Sequence, residues 1–253
     1  MLDIIGIPAL KDNYIWLLHN GAAAVAVDPG DADPVLKILN EESLVLEAIL
    51  VTHHHQDHQN GIARLLEHSS ARVFGPGAES ITGLTHALKG GEKFYLPTVG
   101  ITMNVIAVPG HTVGHLAYFG HGRLFCGDTL FTGGCGRIFE GTPAQMFASL
   151  AQLASLPEDT LVYCAHEYTE ANLRFALSVE PGNANLLRRM EEVKSLRAKR
   201  VPTVPSALSL EKMTNPFLRC QEPEIKTAAS SRIDNVDDPV EVFAAIRRMK
   251  DAF

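Results

Sequence analysis

The segment Thr52-His53-His54-His55-Gln56-Asp57-His58 holds four histidines and an aspartate within seven residues. Neutral imidazole and carboxylate are the usual nitrogen and oxygen donors of divalent cations. If this stretch is extended, alternate side chains share a face, which puts His53, His55 and Asp57 on one side and His54 and Gln56 on the other. Asp57 and His58 are neighbours and reach one side only through a turn. Two cations a few Å apart would remove that difficulty, with His53 and His55 holding one and Asp57 and His58 the other.

Further donors follow at the ends of apolar runs. Pro109-Gly110-His111 offers a histidine behind a glycine that permits a tight turn. Asp128, in Cys126-Gly127-Asp128, is a carboxylate with two oxygens and so can bridge two cations, which a neutral histidine cannot do. His166 ends the run before Glu167 and Tyr168, and His115 reads as a supporting residue. The expected ligand set is His53, His55 and His111 on one metal and Asp57, His58 and His166 on the other, with Asp128 between them. A donor set of nitrogen and oxygen points to two divalent ions, zinc first, with iron and manganese compatible. Two such ions acidify a bridging water to hydroxide near neutral pH and polarise a carbonyl. Asp57 and Asp128 are the catalytic carboxylates of that scheme. No Gly-x-Ser-x-Gly elbow competes with it.

These donors need a scaffold of short strands and helices. Strands are expected at 14–18 and 22–27 around the Asn20-Gly21 turn, and at 46–51, 72–74, 101–108, 116–119, 124–126 and 161–165. Helices are expected at 35–39 with Asp33 as cap, at 62–67, and at 143–156 with Thr142 as cap and Pro143 in the first turn. Beyond residue 167 the pattern turns helical, at 171–179, 184–199 and 240–252 after Asp238-Pro239, with an irregular connection at 201–206. The domains expected are therefore a mixed α/β domain over 1–167, which carries the metal-binding catalytic residues, and a helical one over 168–253.

The composition narrows the functional classes. With 253 residues, 46% of them hydrophobic, the chain can bury a sizeable core. A net charge of -7 argues against a nucleic-acid surface. Arg188, Arg189, Arg197 and Arg200, which a ribonuclease reading would need, are read as a solvated helix face. No apolar run approaches bilayer length, and an early acid with no basic region predicts no signal peptide. Four scattered cysteines fit reduced thiols in a cytoplasmic protein.

The pattern His53-x-His55-x-Asp57-His58 with His111, Asp128 and His166 resembles the metallo-β-lactamase superfamily, whose fold is a four-layer αβ/βα sandwich. The expected class is therefore α+β, with a helical C-terminal domain added. Asp12-Asn13-Tyr14-Ile15-Trp16, Asp28-Pro29-Gly30, Gly133-Gly134-Cys135-Gly136-Arg137, Ala165-His166-Glu167-Tyr168-Thr169, Asn215-Pro216-Phe217-Leu218-Arg219 and Arg247-Arg248-Met249-Lys250-Asp251 narrow the likeness to the hydroxyacylglutathione hydrolase, or glyoxalase II, family. That resemblance implies hydrolysis of S-D-lactoylglutathione to glutathione and D-lactate, the second step of methylglyoxal detoxification. It implies glutathione contacts at Arg137, Tyr168, Arg247 and Lys250. Phe139 stands where many members have a tyrosine, and Gln59-Asn60-Gly61 where a pair of glycines is commoner. A small-molecule thioester, with no nucleic acid and no membrane, is the expected partner of a monomer. A single-iron glutathione persulfide dioxygenase of the same superfamily is the alternative enzyme.

Overall fold

The computed structural model describes residues 2–97 and 99–253. The chain forms two compact units: one is the chain up to Ala107 with Gly114–Gly127, the other Val108–Val113 with Asp128–Phe253.

The first unit carries β1 (Asp3–Ala9), β2 (Asn13–His19), β3 (Ala23–Val27), α1 (Ala32–Glu41), β4 (Val45–Leu50), α2 (Gln56–Gln59), α3 (Ile62–Glu67), β5 (Arg72–Pro76) and β6 (His86–Leu88), followed by β7 (Lys93–Leu96), β8 (Ile101–Ala107), β9 (Leu116–Gly120) and β10 (Arg123–Gly127). The strands β1 to β6 lie in sequence order in one sheet. The pairs β1/β2 and β2/β3 are antiparallel, whereas β3/β4, β4/β5 and β5/β6 are parallel. A parallel strand covered on both faces is apolar where it is covered, and Ala48, Ile49 and Leu50, the carboxyl half of β4, are fully buried accordingly. Val35, Leu39, Ile62 and Leu65 of α1 and α3 join Ile49, Val51 and Val73 in the core. The cap of α1 is Asp31, whose side chain accepts from the Asp33 amide, so the helix starts earlier than the expected Asp33 cap. The strands β7, β8, β9 and β10 form an antiparallel meander.

The parallel register has a functional consequence. Val27 stands opposite Leu50, and Leu50 opposite Phe74. The segments that leave these three strands therefore emerge side by side, at the carboxyl ends of parallel strands where sites are built in α/β sheets.

The second unit carries β11 (Leu130–Phe131), β12 (Gly134–Cys135), α4 (Pro143–Ala154), β13 (Leu161–Cys164), α5 (Thr169–Val179), α6 (Ala184–Ala198), β14 (Ser206–Ala207), α7 (Leu208–Thr214), a 3-10 turn (Pro216–Leu218), α8 (Pro223–Ala229) and α9 (Pro239–Asp251). A capping box of Thr142 and Gln145 starts α4, and Asp238 with Pro239 starts α9. Leu173 and Ala176 of α5 meet Leu186, Met190 and Val193 of α6. Phe175, Phe217, Phe243 and Phe147 form a chain of ring contacts at 6.1, 5.7 and 5.9 Å. The connection over 201–205 is irregular as expected, and the two-residue strand β14 that follows pairs antiparallel with β13. Of the arginines weighed for a polyanion surface, Arg188 bonds Asn185, Arg189 pairs with Glu192, and Arg197 bonds Glu167 and the Val201 carbonyl. Among the described residues no helix is long and apolar enough to cross a membrane.

Candidate metal centre

The first unit supplies His53, His55, Asp57 and His58. The segment bends at Thr52 and His53, His55 is extended, and Gln56–Gln59 then forms one helical turn. That turn replaces the continuous alternation expected from the sequence, and it brings Asp57 Oδ2 to 3.5 Å from His58 Nε2. His53 Nε2 and His55 Nδ1 approach each other at 3.0 Å. Two ring nitrogens at about 2.0–2.1 Å from one tetrahedral cation would lie about 3.3 Å apart, so this spacing fits a shared ion.

Buried partners set the tautomers. Asp28 accepts from the Thr52 amide at 2.7 Å and from the Thr52 hydroxyl at 2.8 Å. The Thr52 hydroxyl thus accepts from His53 Nδ1, 3.1 Å away, and Nε2 keeps its lone pair. His58 Nδ1 lies 3.1 Å from Asp28 Oδ2, which likewise leaves Nε2 as the donor toward a metal. One buried carboxylate therefore orients two histidines. Asp28 stands in the left-handed region at φ 51, which aspartate tolerates better than most residues. Asn13 Nδ2 donates to Asp57 Oδ2 at 3.0 Å and fixes that carboxylate. The turn sits tightly on its support: a Cβ at Gly30 would lie 1.8 Å from the Asp57 carbonyl oxygen.

The neighbouring histidines do other work. Glu79 accepts from the His54 amide at 2.7 Å and lies 3.0 Å from its Nδ1, while its other oxygen accepts from the Gly114 amide at 2.9 Å. His115 is buried and stacks on His53 with centroids 4.6 Å apart.

In the second unit His111, Asp128 and His166 converge. His111 Nδ1 donates to the Arg137 carbonyl at 2.7 Å, and its Nε2 lies 3.5 Å from Asp128 Oδ2. His166 Nε2 lies 3.3 Å from the other oxygen, Asp128 Oδ1. One carboxylate thus turns a different oxygen to each of two histidines, which is the disposition a bridge between two cations requires. Gly110 has φ 155, and a Cβ there would lie 2.7 Å from Met146 Cβ. Cys164, two residues before His166, is fully buried, and burial pushes its thiol up to about 12. The candidate donors are imidazoles and carboxylates. The same seven side chains offer ligand atoms suited to a cation. Replacing Asp28 by Asn should leave the fold intact and weaken divalent-metal binding about 10–100-fold, as loss of a residue that orients metal ligands does. Chelator competition on the purified variant measures it.

The residues suggested for glutathione also lie in the second unit. Arg137 Nε and Arg247 Nη2 both donate to Asp251 Oδ1 at 3.1 Å. Arg247 is only 6% exposed, donates to the Cys135 carbonyl at 2.7 Å and covers the Phe217 ring. Lys250, one helical turn on, is half-buried with its ammonium 5.5 Å from the Phe175 ring centre. Burial, then the nearby Arg247, holds its pKa below the ordinary lysine value. Tyr168 stacks on His166 with centroids 4.7 Å apart. Phe139, 60% exposed, stands edge-on to His111 at 5.2 Å. Sequence reasoning missed Asn13, Thr52 and Glu79 as supports, and it did not separate the buried Arg247 from the more open Lys250.

Comparison with known proteins gives the family. The model described as metallo-beta-lactamase superfamily matches residues 10–166, and the one described as hydroxyacylglutathione hydrolase C-terminus matches residues 167–253. A hydroxyacylglutathione hydrolase of Methylobacillus flagellatus is 55% identical over 100% of both chains. One of Photobacterium profundum is 53% identical, again over 100% of both. Among solved structures, ETHE1 from Myxococcus xanthus superposes with a TM-score of 0.66 at 24% identity over 100% of this chain and 99% of that one, a likeness of fold. TTHA1623 in a di-iron-bound form reaches a TM-score of 0.60 at 25% identity, over 85% of this chain and 100% of that one. The expected α+β class is therefore that of the metallo-β-lactamase fold with an added C-terminal region. That family's donors and the imidazoles and carboxylates found here point to a divalent metal site. With a full-length identity above half and both of its parts matched, the chain belongs to the hydroxyacylglutathione hydrolase family of the metallo-β-lactamase superfamily.

Proposed function

We propose that the protein hydrolyses S-D-lactoylglutathione, and related 2-hydroxyacyl thioesters of glutathione, to glutathione and D-lactate. The observation that carries this reading is Asp128, with one oxygen toward His111 and the other toward His166. It supports His53, His55 and His111 on one cation and Asp57, His58 and His166 on a second, with Asp128 common to both. Two divalent ions held there, zinc by donor type with iron and manganese compatible, would supply an acidified water and polarise the thioester carbonyl.

The chain's own residues do the rest. Asn13 fixes Asp57 so that its carboxylate can orient the attacking water. His53, His58 and His111 are each held in one tautomer by Thr52, Asp28 and the Arg137 carbonyl. The leaving thiol, with a pKa near 8.5, departs as thiolate without a strong acid. Arg137 and Lys250 are cations suited to the carboxylates of glutathione. Tyr168 adds a hydroxyl beside His166, and Phe139 an aromatic face with none. Arg247 is read with Arg137 and Lys250 as a glutathione-binding cation, and it also holds Asp251 and the Cys135 carbonyl. The reading takes 1–167 as the catalytic domain and 168–253 as the substrate-binding one, in a monomer acting in the cytoplasm. The iron dioxygenase alternative is not favoured, because full-length relatives at 55% and 53% identity carry the hydrolase name.

The test is a thioester assay of metal-loaded protein. His53→Ala should abolish turnover, and Arg137→Ala should raise KM about tenfold with kcat nearly unchanged, as loss of a charge-assisted contact of about 1.4 kcal/mol does. No turnover by the wild type would overturn the reading. The lowered pKa of Lys250 adds a pH dependence. As pH rises Lys250 loses its charge sooner than an ordinary lysine, so KM should climb below the usual value of about 10.4. In Lys250→Arg, which stays charged, the climb should disappear.

A further inference from the structure

The Asn215-Pro216-Phe217 segment has no part in the proposed chemistry, yet its asparagine is fully buried beside the short β11–β12 hairpin. That hairpin has only two residues in each strand, Leu130–Phe131 and Gly134–Cys135, so few of its backbone groups can pair with each other. Side chains from helical elements take the others. Asn215 Nδ2 donates to the Phe131 carbonyl at 3.0 Å and to the Gly134 carbonyl at 2.8 Å. Asn172 Nδ2 donates to the Thr132 carbonyl at 3.1 Å. Glu211, fully buried, accepts from the Gly133 amide at 2.8 Å and from the Ser206 hydroxyl at 2.6 Å. The Asn215 amide cannot flip without loss, because its oxygen accepts from the Phe217 amide at 3.1 Å. There is no slack, since a Cβ at Gly134 would lie 2.7 Å from Asn172 Cγ.

What hangs on this hairpin gives the grip its consequence. Asp128 precedes it by two residues. Its Phe131 ring stands edge-on to His166 at 5.8 Å and to Tyr168 at 5.3 Å. Beyond it, the Gly136 amide returns to the Thr129 carbonyl at 3.2 Å, and the next residue's carbonyl takes the His111 proton at 2.7 Å. All three ligand candidates of this unit therefore adjoin or touch this hairpin or the segment that leaves it.

We infer that Asn215 and Glu211, with Asn172, are positioning residues for Asp128, His111 and His166, acting through the backbone of the Leu130–Cys135 hairpin. This rests on the reading of those three side chains as metal ligands. An outer-shell support of this kind is worth about 10–100-fold in metal affinity, whereas a support of fold alone changes stability and leaves affinity untouched.

The experiment titrates metal-free protein with zinc against a competing chelator and records the melting temperature alongside. Asn215→Asp keeps the oxygen that accepts from Phe217 and turns a carboxylate toward two carbonyls. It should bind zinc about 10–100-fold more weakly. Glu180→Gln is the control: it loosens the Glu180–Arg219 fork in the same unit, away from the hairpin, and should lower the melting temperature with zinc affinity kept. A folded Asn215→Asp protein that binds zinc within twofold of wild type would overturn the inference. If that variant does not fold, Asn172→Ala decides, since it removes only the bond to Thr132. Weaker zinc binding by it supports the inference, and wild-type affinity contradicts it. Failure of the wild type to bind zinc would instead remove the metal reading itself, so the two failures are separate.

Discussion

An Asp128→Asn protein should hold at most one metal ion per chain and lose about a thousandfold in kcat/KM for thioester hydrolysis, roughly 4 kcal/mol of transition-state stabilisation. The size follows from geometry and charge together. In the wild type one carboxylate presents Oδ1 to His166 and Oδ2 to His111. An amide of the same shape has one oxygen and an NH2 group that cannot ligate a cation, so the bridge becomes a single contact. It also removes a negative charge that two bound dications would share, in a place only 8% exposed. Elemental analysis and steady-state kinetics on one preparation measure both effects. Two metals retained with less than a tenfold loss would show that Asp128 is not the bridge.

The second large effect is expected from one methyl group. A Cβ at Gly136 would lie 1.9 Å from the Asp128 carbonyl oxygen and 3.2 Å from His111 Nδ1. The obstruction is backbone, which cannot rotate away, and it belongs to the candidate bridging residue. Gly136→Ala should therefore weaken zinc binding and lower kcat/KM about a hundredfold, an upper figure for displaced metal supports. The circular dichroism spectrum should keep its helical signal. Gly122→Ala is the contrast, for a Cβ there meets nothing within 4 Å although φ is 73. It should cost about 1 kcal/mol of stability and leave metal and turnover unchanged. Equal behaviour of the two variants would refute the steric argument.

How much of this could be read from the residues depends on whether the signal is local. His53, His55, Asp57 and His58 fall within six positions, and their donor chemistry is legible without any structure. Helix starts were equally plain at Thr142-Pro143 and Asp238-Pro239, because capping is a short-range matter. The turn at Gln56–Gln59 was not, since nothing in so short a stretch distinguishes a strand end from one helical turn. Asp28 was recognisable only as part of a familiar pattern. Its hold on His58 depends on the parallel pairing that sets Val27 opposite Leu50, twenty-odd residues away. The β11–β12 hairpin lay below any periodic signal, because two-residue strands have no alternation to detect. The burial of Arg247 against Phe217 and Cys135 is likewise a tertiary fact, and a basic helix face at a chain end reads as solvated.

For a two-metal thioesterase the decisive measurement is elemental analysis of the purified protein paired with the S-D-lactoylglutathione assay. The prediction is close to two divalent ions per chain, with turnover that disappears on chelation and returns as the second ion is restored. About one iron per chain, with oxygen uptake on a glutathione persulfide and no thioester hydrolysis, would contradict it.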